Sequence, residues 1–187
     1  MSRQLAEFIA RTAPDQVKLH LGCGGQRWRD FINIDFHPGP PGRADSSRNG
    51  FDADVIADAT ALGLPSASVD EIFSSHLIEH LTRWQAVDAF VDWSRMLKPR
   101  GQLHVETPDF WRCVLWLFDP RPSRRRLART MFYGNQWDRI DYETHRYVWS
   151  AGELKRELQR AGFSRVRIDH RTLTHHPGRD MRVLATR

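Results

Sequence analysis

The chain has 187 residues, 40% of them hydrophobic and 27% charged, which suits one domain with a sizeable core. No apolar run approaches the roughly 18–20 residues of a membrane-spanning helix, and residues 1–9 are too charged for a secretory leader. A net charge of +5 leaves nucleic acid open as a partner, but the charge is mostly dispersed; two lone cysteines, Cys23 and Cys113, form neither a disulfide framework nor a zinc ribbon, so a reducing cytoplasm is the expected location.

Leu5, Phe8 and Ile9 fall at helical spacing behind Ser2 as cap, which predicts an N-terminal helix within residues 1–14. Val17, Leu19 and Leu21 alternate and run into Gly22-Cys23-Gly24-Gly25, a strand ending in a turn. Further strands are expected at Phe31–Phe36, Asp54–Asp58, Val69–Ser75 and Gln102–Glu106, with a loop over 38–50. Trp84, Val87, Phe90, Val91, Ser94 and Leu97 predict one face of a long helix, stopped by Lys98-Pro99-Arg100-Gly101. Ser150 and Glu153 have the spacing of a capping box for a helix that buries Leu154, Leu158 and Ala161. Val166–Ile168 and Met181–Ala185 complete the strands, too close together for a helical crossover, so the last strand is expected to be antiparallel.

Strands separated by helices or long crossovers indicate an α/β fold: three layers around a mostly parallel seven-stranded sheet, forming a single domain over 1–187. The aromatic segment 110–147 breaks this rhythm after the fifth strand. Its place at the carboxyl edge of the sheet predicts a helical, substrate-shaping insertion rather than packing alone. Within it, Arg121, Arg124, Arg125, Arg126 and Arg129 form a run without acids, either a solvated helix face or a surface for an anionic substrate.

The glycine turn lets a ligand approach the main chain. Asp35, ending the second strand, can accept hydrogen bonds from both hydroxyls of an adenosyl ribose, or merely cap a turn. It lies closer to the glycines than in dinucleotide folds, so any intervening helix is short or absent. Asp58-Ala59 after the third strand can receive an adenine amine, or begin a helix as its cap. Ser75, after the fourth strand, lies at the floor of the same crevice.

The run from Asp54 to Leu81, with its acidic turn, Leu64-Pro65, Ser68-Val69-Asp70, strand and Glu79-His80, resembles class I S-adenosylmethionine-dependent methyltransferases. Arg95-Met96-Leu97-Lys98-Pro99-Arg100-Gly101 is similar to the family's approach to its fifth strand, usually Leu-Lys-Pro-Gly-Gly, with Arg100 replacing the first of those glycines. Trp149–Ile168 resembles its last helix and strand. Within the family the chain is similar to a small bacterial group with a truncated first helix. The resemblance implies a Rossmann-like fold with S-adenosyl-L-methionine as cosubstrate, held by Gly22, Cys23, Gly24, Asp35, Asp58, Ala59 and Ser75. It also implies a transferase whose acceptor is a small molecule or sugar, with O-methylation favoured. His145 and His80 are the candidate bases for a hydroxyl acceptor, since imidazole titrates near neutral pH; methyl transfer from a sulfonium needs no metal.

Other readings fit less of the chain. His76-Leu-Ile-Glu79-His80 matches H-x-x-E-H, a zinc peptidase pattern, but starts at a strand end. A nicotinamide enzyme lacks its third glycine, position 27 being Arg27. RNA-directed methylation and donor binding without catalysis are the remaining alternatives; the place after the fourth strand lacks an Asn-Pro-Pro-aromatic run, which disfavours nucleobase amino groups.

Overall fold

A computed structural model describes residues 3–12, 15–36, 53–136, 141–174 and 178–187. The expected loop at 38–50 and the Ser2 cap lie outside these residues. The elements in chain order are α1 (Arg3–Thr12), β1 (Lys18–Leu21), β2 (Ile32–Asp35), β3 (Val55–Ile56), β4 (Val69–Ser75), α2 (Arg83–Met96), β5 (Leu97–Pro108), α3 (Phe110–Leu117), α4 (Pro122–Tyr133), a 3-10 turn (Asp141–Glu143), α5 (Ala151–Arg160), β6 (Arg165–Asp169) and β7 (Asp180–Thr186).

The seven strands form one sheet in the order β3-β2-β1-β4-β5-β7-β6. β1 to β5 are parallel, and β7 runs antiparallel between β5 and β6, as the short β6–β7 connection requires. The chain leaves β1 towards β2 on one side and later fills the other side with β4. This change of direction opens a crevice at the carboxyl ends of β1 and β4, the usual ligand position in open α/β sheets. Residues 22–31 form turns rather than a helix, so β1 passes almost directly into β2.

The inner strands are apolar on both faces: Leu19, Leu21, Ile34, Ile72 and Phe73 are fully buried. Leu5 of α1 enters this core, with Phe8 and Ile9 packed against it, as their spacing predicts. α2 is present, and of its expected face Phe90, Ser94 and Leu97 are buried and Val87 packs against the core, while Trp84 and Val91 lie outside. Ala86, Ala89, Phe90, Trp93 and Met96 face inward, whereas Trp84 is 68% and Val91 53% exposed. The small Ala86 and Ala89 belong to the buried face, so counting only large apolar residues misses part of it and adds Trp84 and Val91 at its margin.

α2 ends at Met96, and Lys98–Gly101 belongs to the start of β5 rather than to a loop. The capping box of α5 forms only in half. Ser150 accepts from the Glu153 amide, but the Glu153 carboxylate bonds Tyr147 Oη at 2.6 Å and Arg83 Nε at 3.1 Å instead of reaching back. A complete box occurs at α2, between Thr82 and Gln85. Among the described residues no helix is long and apolar enough to cross a membrane.

Candidate active site

The parallel register brings the expected donor residues to one edge. Leu21 pairs with Ile34 and with Ser74, and Asp35 pairs with Ile56, two residues before Asp58. Gly22, Asp35, Asp58 and Ser75 therefore all follow or end adjacent parallel strands. The glycine loop is tied down from β2: the Gly22 and Cys23 amides donate to the Ile34 carbonyl, and the Gly24 amide donates to Asp35 Oδ2 at 2.8 Å. Gly22 adopts φ +69, and a Cβ there would come within 3.0 Å of Leu77. Gly24 adopts φ +50, and the place of its missing Cβ faces open space with no atom within 4 Å. Thus Gly22 is required by packing, while Gly24 exposes main chain towards the crevice.

The other residues expected to hold the donor are more engaged than the sequence suggests. Asp58 Oδ1 accepts from the Thr60 amide (2.8 Å) and hydroxyl (2.7 Å), holding a turn; no helix begins there. Ala59 is buried and its carbonyl accepts from Trp93 Nε1 of α2 at 2.9 Å. Ser75 Oγ lies 2.7 Å from Thr174 Oγ1, which itself donates to the buried Glu106 at 2.5 Å. The segment before β7 is thereby pinned over the ends of β4 and β5. Cys23 is buried.

Beyond β4 the chain makes a tight turn rather than a helix. His76 adopts φ +51, unusual for a residue with a side chain, and α2 starts only at Arg83. The H-x-x-E-H pattern consequently does not place His76 and His80 on one helical face. His76 Nδ1 pairs with Glu79 Oε1 at 2.7 Å, and its Nε2 faces Asp180 Oδ2 at 3.3 Å. Glu79 and Asp180 are completely buried; Arg179 clamps Asp180 through two bonds of 2.5 and 2.6 Å, and Thr107 donates to Glu79 Oε2 at 3.0 Å. Burial works against charge on His76, yet Glu79 and Asp180 outweigh it and hold its pKa up at about 9. Burial likewise opposes ionisation of Glu79, but His76 prevails and holds the carboxyl at about 2.

The two candidate bases come together at this turn. The His80 and His145 rings meet edge to face with centroids 4.7 Å apart. His145 donates from Nδ1 to the Met131 carbonyl at 2.6 Å, and the amides of Arg146 and Tyr147 donate to the Glu79 carbonyl, so the segment after the 3-10 turn is fastened to the β4 turn. His80 is pushed below the ordinary imidazole range, chiefly by burial, which Glu79 only partly offsets.

A family model described as a methyltransferase domain matches residues 1–168. The chain belongs to this methyltransferase-domain family. A malonyl-[acyl-carrier protein] O-methyltransferase from Methylococcus capsulatus is 31% identical over 120 residues, covering 64% of this chain and 37% of that protein. The chain thus spans little more than a third of the length of that relative. Among solved structures, a SAM-dependent methyltransferase from Methanosarcina mazei shares 16% identity, with 92% of each chain covered and a TM-score of 0.61. An S-adenosylmethionine-dependent methyltransferase from Mesorhizobium loti shares 18%, covering 97% of this chain and 98% of the other, with a TM-score of 0.60. A 1,6-didemethyltoxoflavin-N1-methyltransferase from Burkholderia thailandensis, which holds S-adenosylhomocysteine, shares 15% over 99% of this chain and 76% of its own, with a TM-score of 0.57. At these identities the likeness to the solved structures is one of fold.

The segment expected as an insertion carries α3 and α4, which pack on each other. The arginine run mostly holds this hairpin together: Arg121 and Arg124 bond Asp119, Arg125 donates to the carbonyls of Asp119 and Pro120, and Arg124 stacks over Trp116. Asp119 lies just before the acid-free stretch, which is why the run reads as unpaired. A cavity of about 430 Å³ is lined by Phe110, Trp111, Phe132, Arg146, Tyr147 and Glu153, among others. Its lining includes none of the residues expected to hold the donor and takes in Arg146, which follows His145. The buried ion network of His76, Glu79, Arg179 and Asp180 was not expected. Its only signal in the sequence is a run of charged residues beside apolar strand ends, and no spacing rule joins Asp180 to His76 across 104 positions.

Proposed function

We propose that this methyltransferase O-methylates a small-molecule or sugar hydroxyl, with the donor held by Gly22, Cys23, Gly24, Asp35, Asp58, Ala59 and Ser75. The residues fit an adenosyl group: an open glycine main chain at Gly24, with carboxylates ending β2 and following β3 at the same edge. When bound, S-adenosylmethionine supplies a methyl already activated by the sulfonium charge. The chain's own contribution is to orient the acceptor, exclude water and receive its proton.

The observation that carries the hydroxyl reading is the pairing of His80 with His145 at the carboxyl edge, under the insertion. Burial keeps His80 neutral at physiological pH, so a lone pair is available to take a proton. Residues 110–147 serve as the substrate-side insertion, and the aromatic cavity beside His145 is the acceptor pocket; its volume lies within the range of small-molecule sites.

A second reading has its own support in the similarity to the malonyl-[acyl-carrier protein] enzyme, whose acceptor is a carboxylate. A carboxylate is already ionised and requires no base, so the two readings separate cleanly. Release of S-adenosylhomocysteine is measured against a panel of hydroxyl and carboxylate acceptors, with wild type and His145→Ala. Hydroxyl acceptors should turn over, and the variant should lose about 10²-fold or more in kcat. Turnover confined to carboxylates and indifferent to the variant overturns the hydroxyl reading.

A further inference from the structure

We infer that Glu79, His80 and His145 form a binding site for one first-row divalent cation of the zinc or cobalt type. A carboxylate oxygen of Glu79 and one ring nitrogen from each histidine lie within 4.8 Å of one another. Even at that upper limit, the centre of such a triangle is about 2.8 Å from each corner, against about 2.1 Å for a bound cation, so each donor need move by less than about 0.7 Å.

The surroundings of the three groups independently suit ligation. His145 is held from behind, its Nδ1–H donating to the Met131 carbonyl, and its Nε2 lone pair is thereby directed away from that anchor. A backbone carbonyl on the non-ligating nitrogen is the usual support for a metal-binding histidine. His80 has the same arrangement: one ring nitrogen bonds the backbone of Thr144, while Nδ1 is buried and has no hydrogen-bond partner. A buried imidazole nitrogen without a partner is costly unless a ligand completes it. Glu79 is completely buried and is kept ionised and oriented by His76 and Thr107.

Two imidazoles and one carboxylate select a borderline first-row ion rather than magnesium or calcium, which prefer oxygen donors throughout. Three protein ligands also leave coordination positions open to water or to an acceptor oxygen, the pattern of a catalytic rather than a structural site. The cluster follows directly from Leu77, which packs on Gly22 of the donor loop, so such an ion would sit one turn from the donor crevice. The inference concerns the cluster alone. A bound cation would take the two imidazole lone pairs and so replace the base role proposed above; failure to bind metal would leave that role, and methyl transfer, in place.

The test uses the full, untagged chain stripped of metal and titrated with cobalt(II), followed by visible absorption and by equilibrium dialysis. One cobalt per chain should bind with an intense d–d band, and zinc should displace it. His145→Ala should weaken cobalt binding at least tenfold and abolish the band, whereas His104→Ala, on β5 outside the cluster, should leave both unchanged. Circular dichroism and donor affinity confirm that the variants fold. Where His80→Ala also folds, it should behave like His145→Ala. Absence of saturable 1:1 binding, or a loss of less than tenfold in His145→Ala, overturns the site.

Discussion

Asp35 has a structural role in addition to the ligand contact proposed for it. Its position at the end of β2 suggested a ribose contact, and the structure adds that its Oδ2 anchors the Gly24 amide at 2.8 Å. Removing the carboxylate therefore takes away a proposed ligand contact and loosens the loop that exposes its main chain to the donor. Hydrogen bonds to an ionised group contribute about 1.5–3 kcal/mol, so Asp35→Ala should weaken S-adenosylmethionine binding by about 10–100-fold in calorimetry. Asp35→Asn keeps an oxygen for Gly24 but no charge, and should fall between wild type and Asp35→Ala. Equal affinity in all three proteins would exclude the ribose role. Asp58 differs in kind. The sequence offered an adenine contact or a helix cap, and the structure shows a carboxylate folded onto Thr60 within a turn, a local alternative that Asp at a strand end always has.

At the scale of elements, what was legible depended on how local the determining physics is. β4 was read to the residue because alternation and a bounded apolar run are local. The shortness of the β1–β2 connection was legible from the nine positions between Gly25 and Asp35. The face of α2 was legible in part: Phe90 and Ser94 are buried as their spacing predicts, but the small Ala86 and Ala89 carry too weak an apolar signal to have been counted. The loss of half the α5 capping box was not legible, since Arg83 and Tyr147 capture Glu153 only once the chain has folded. In the Lys98-Pro99-Arg100-Gly101 segment Arg100 adopts φ +69, a left-handed conformation that a Cβ disfavours by about 1–2 kcal/mol, which suits the glycine that the family resemblance leads one to expect there. Glycine gives back part of this through greater freedom in the unfolded chain. Arg100→Gly is accordingly expected to stabilise the protein by about 0.5–1 kcal/mol in urea unfolding. A loss of stability would mean that the Arg100 side chain contributes more than its backbone costs.

For the molecule as a whole, the buried charges at the centre of the sheet's carboxyl edge set how stability responds to pH. His76 is raised from 6.5 to about 9, so its stabilising effect is complete below pH 6.5 and is lost as pH rises through 9. Glu79 is lowered from 4.5 to about 2, so its effect is complete above pH 4.5 and is lost as pH falls through 2. His20, His80 and His104 are lowered below 6.5, each chiefly by burial; they favour the folded state above that value and oppose it on acidification. The two sets of histidines thus act in opposite directions around the same ordinary value, and stability should peak near pH 6.5. Cys113, raised from 9.0 to about 12 by burial, adds its own loss only above pH 9, and the lowered histidines can only add stability as pH rises from 6.5, so a decline between 6.5 and 8.5 belongs to His76. Urea midpoints across that interval should decline in the wild-type protein. His76→Asn should be less stable at pH 6.5, because Glu79 and Asp180 lose their shared cation, but should show no decline from 6.5 to 8.5. A decline of equal slope in the variant would assign the alkaline loss to another group and remove His76 as the charged link between β4 and β7.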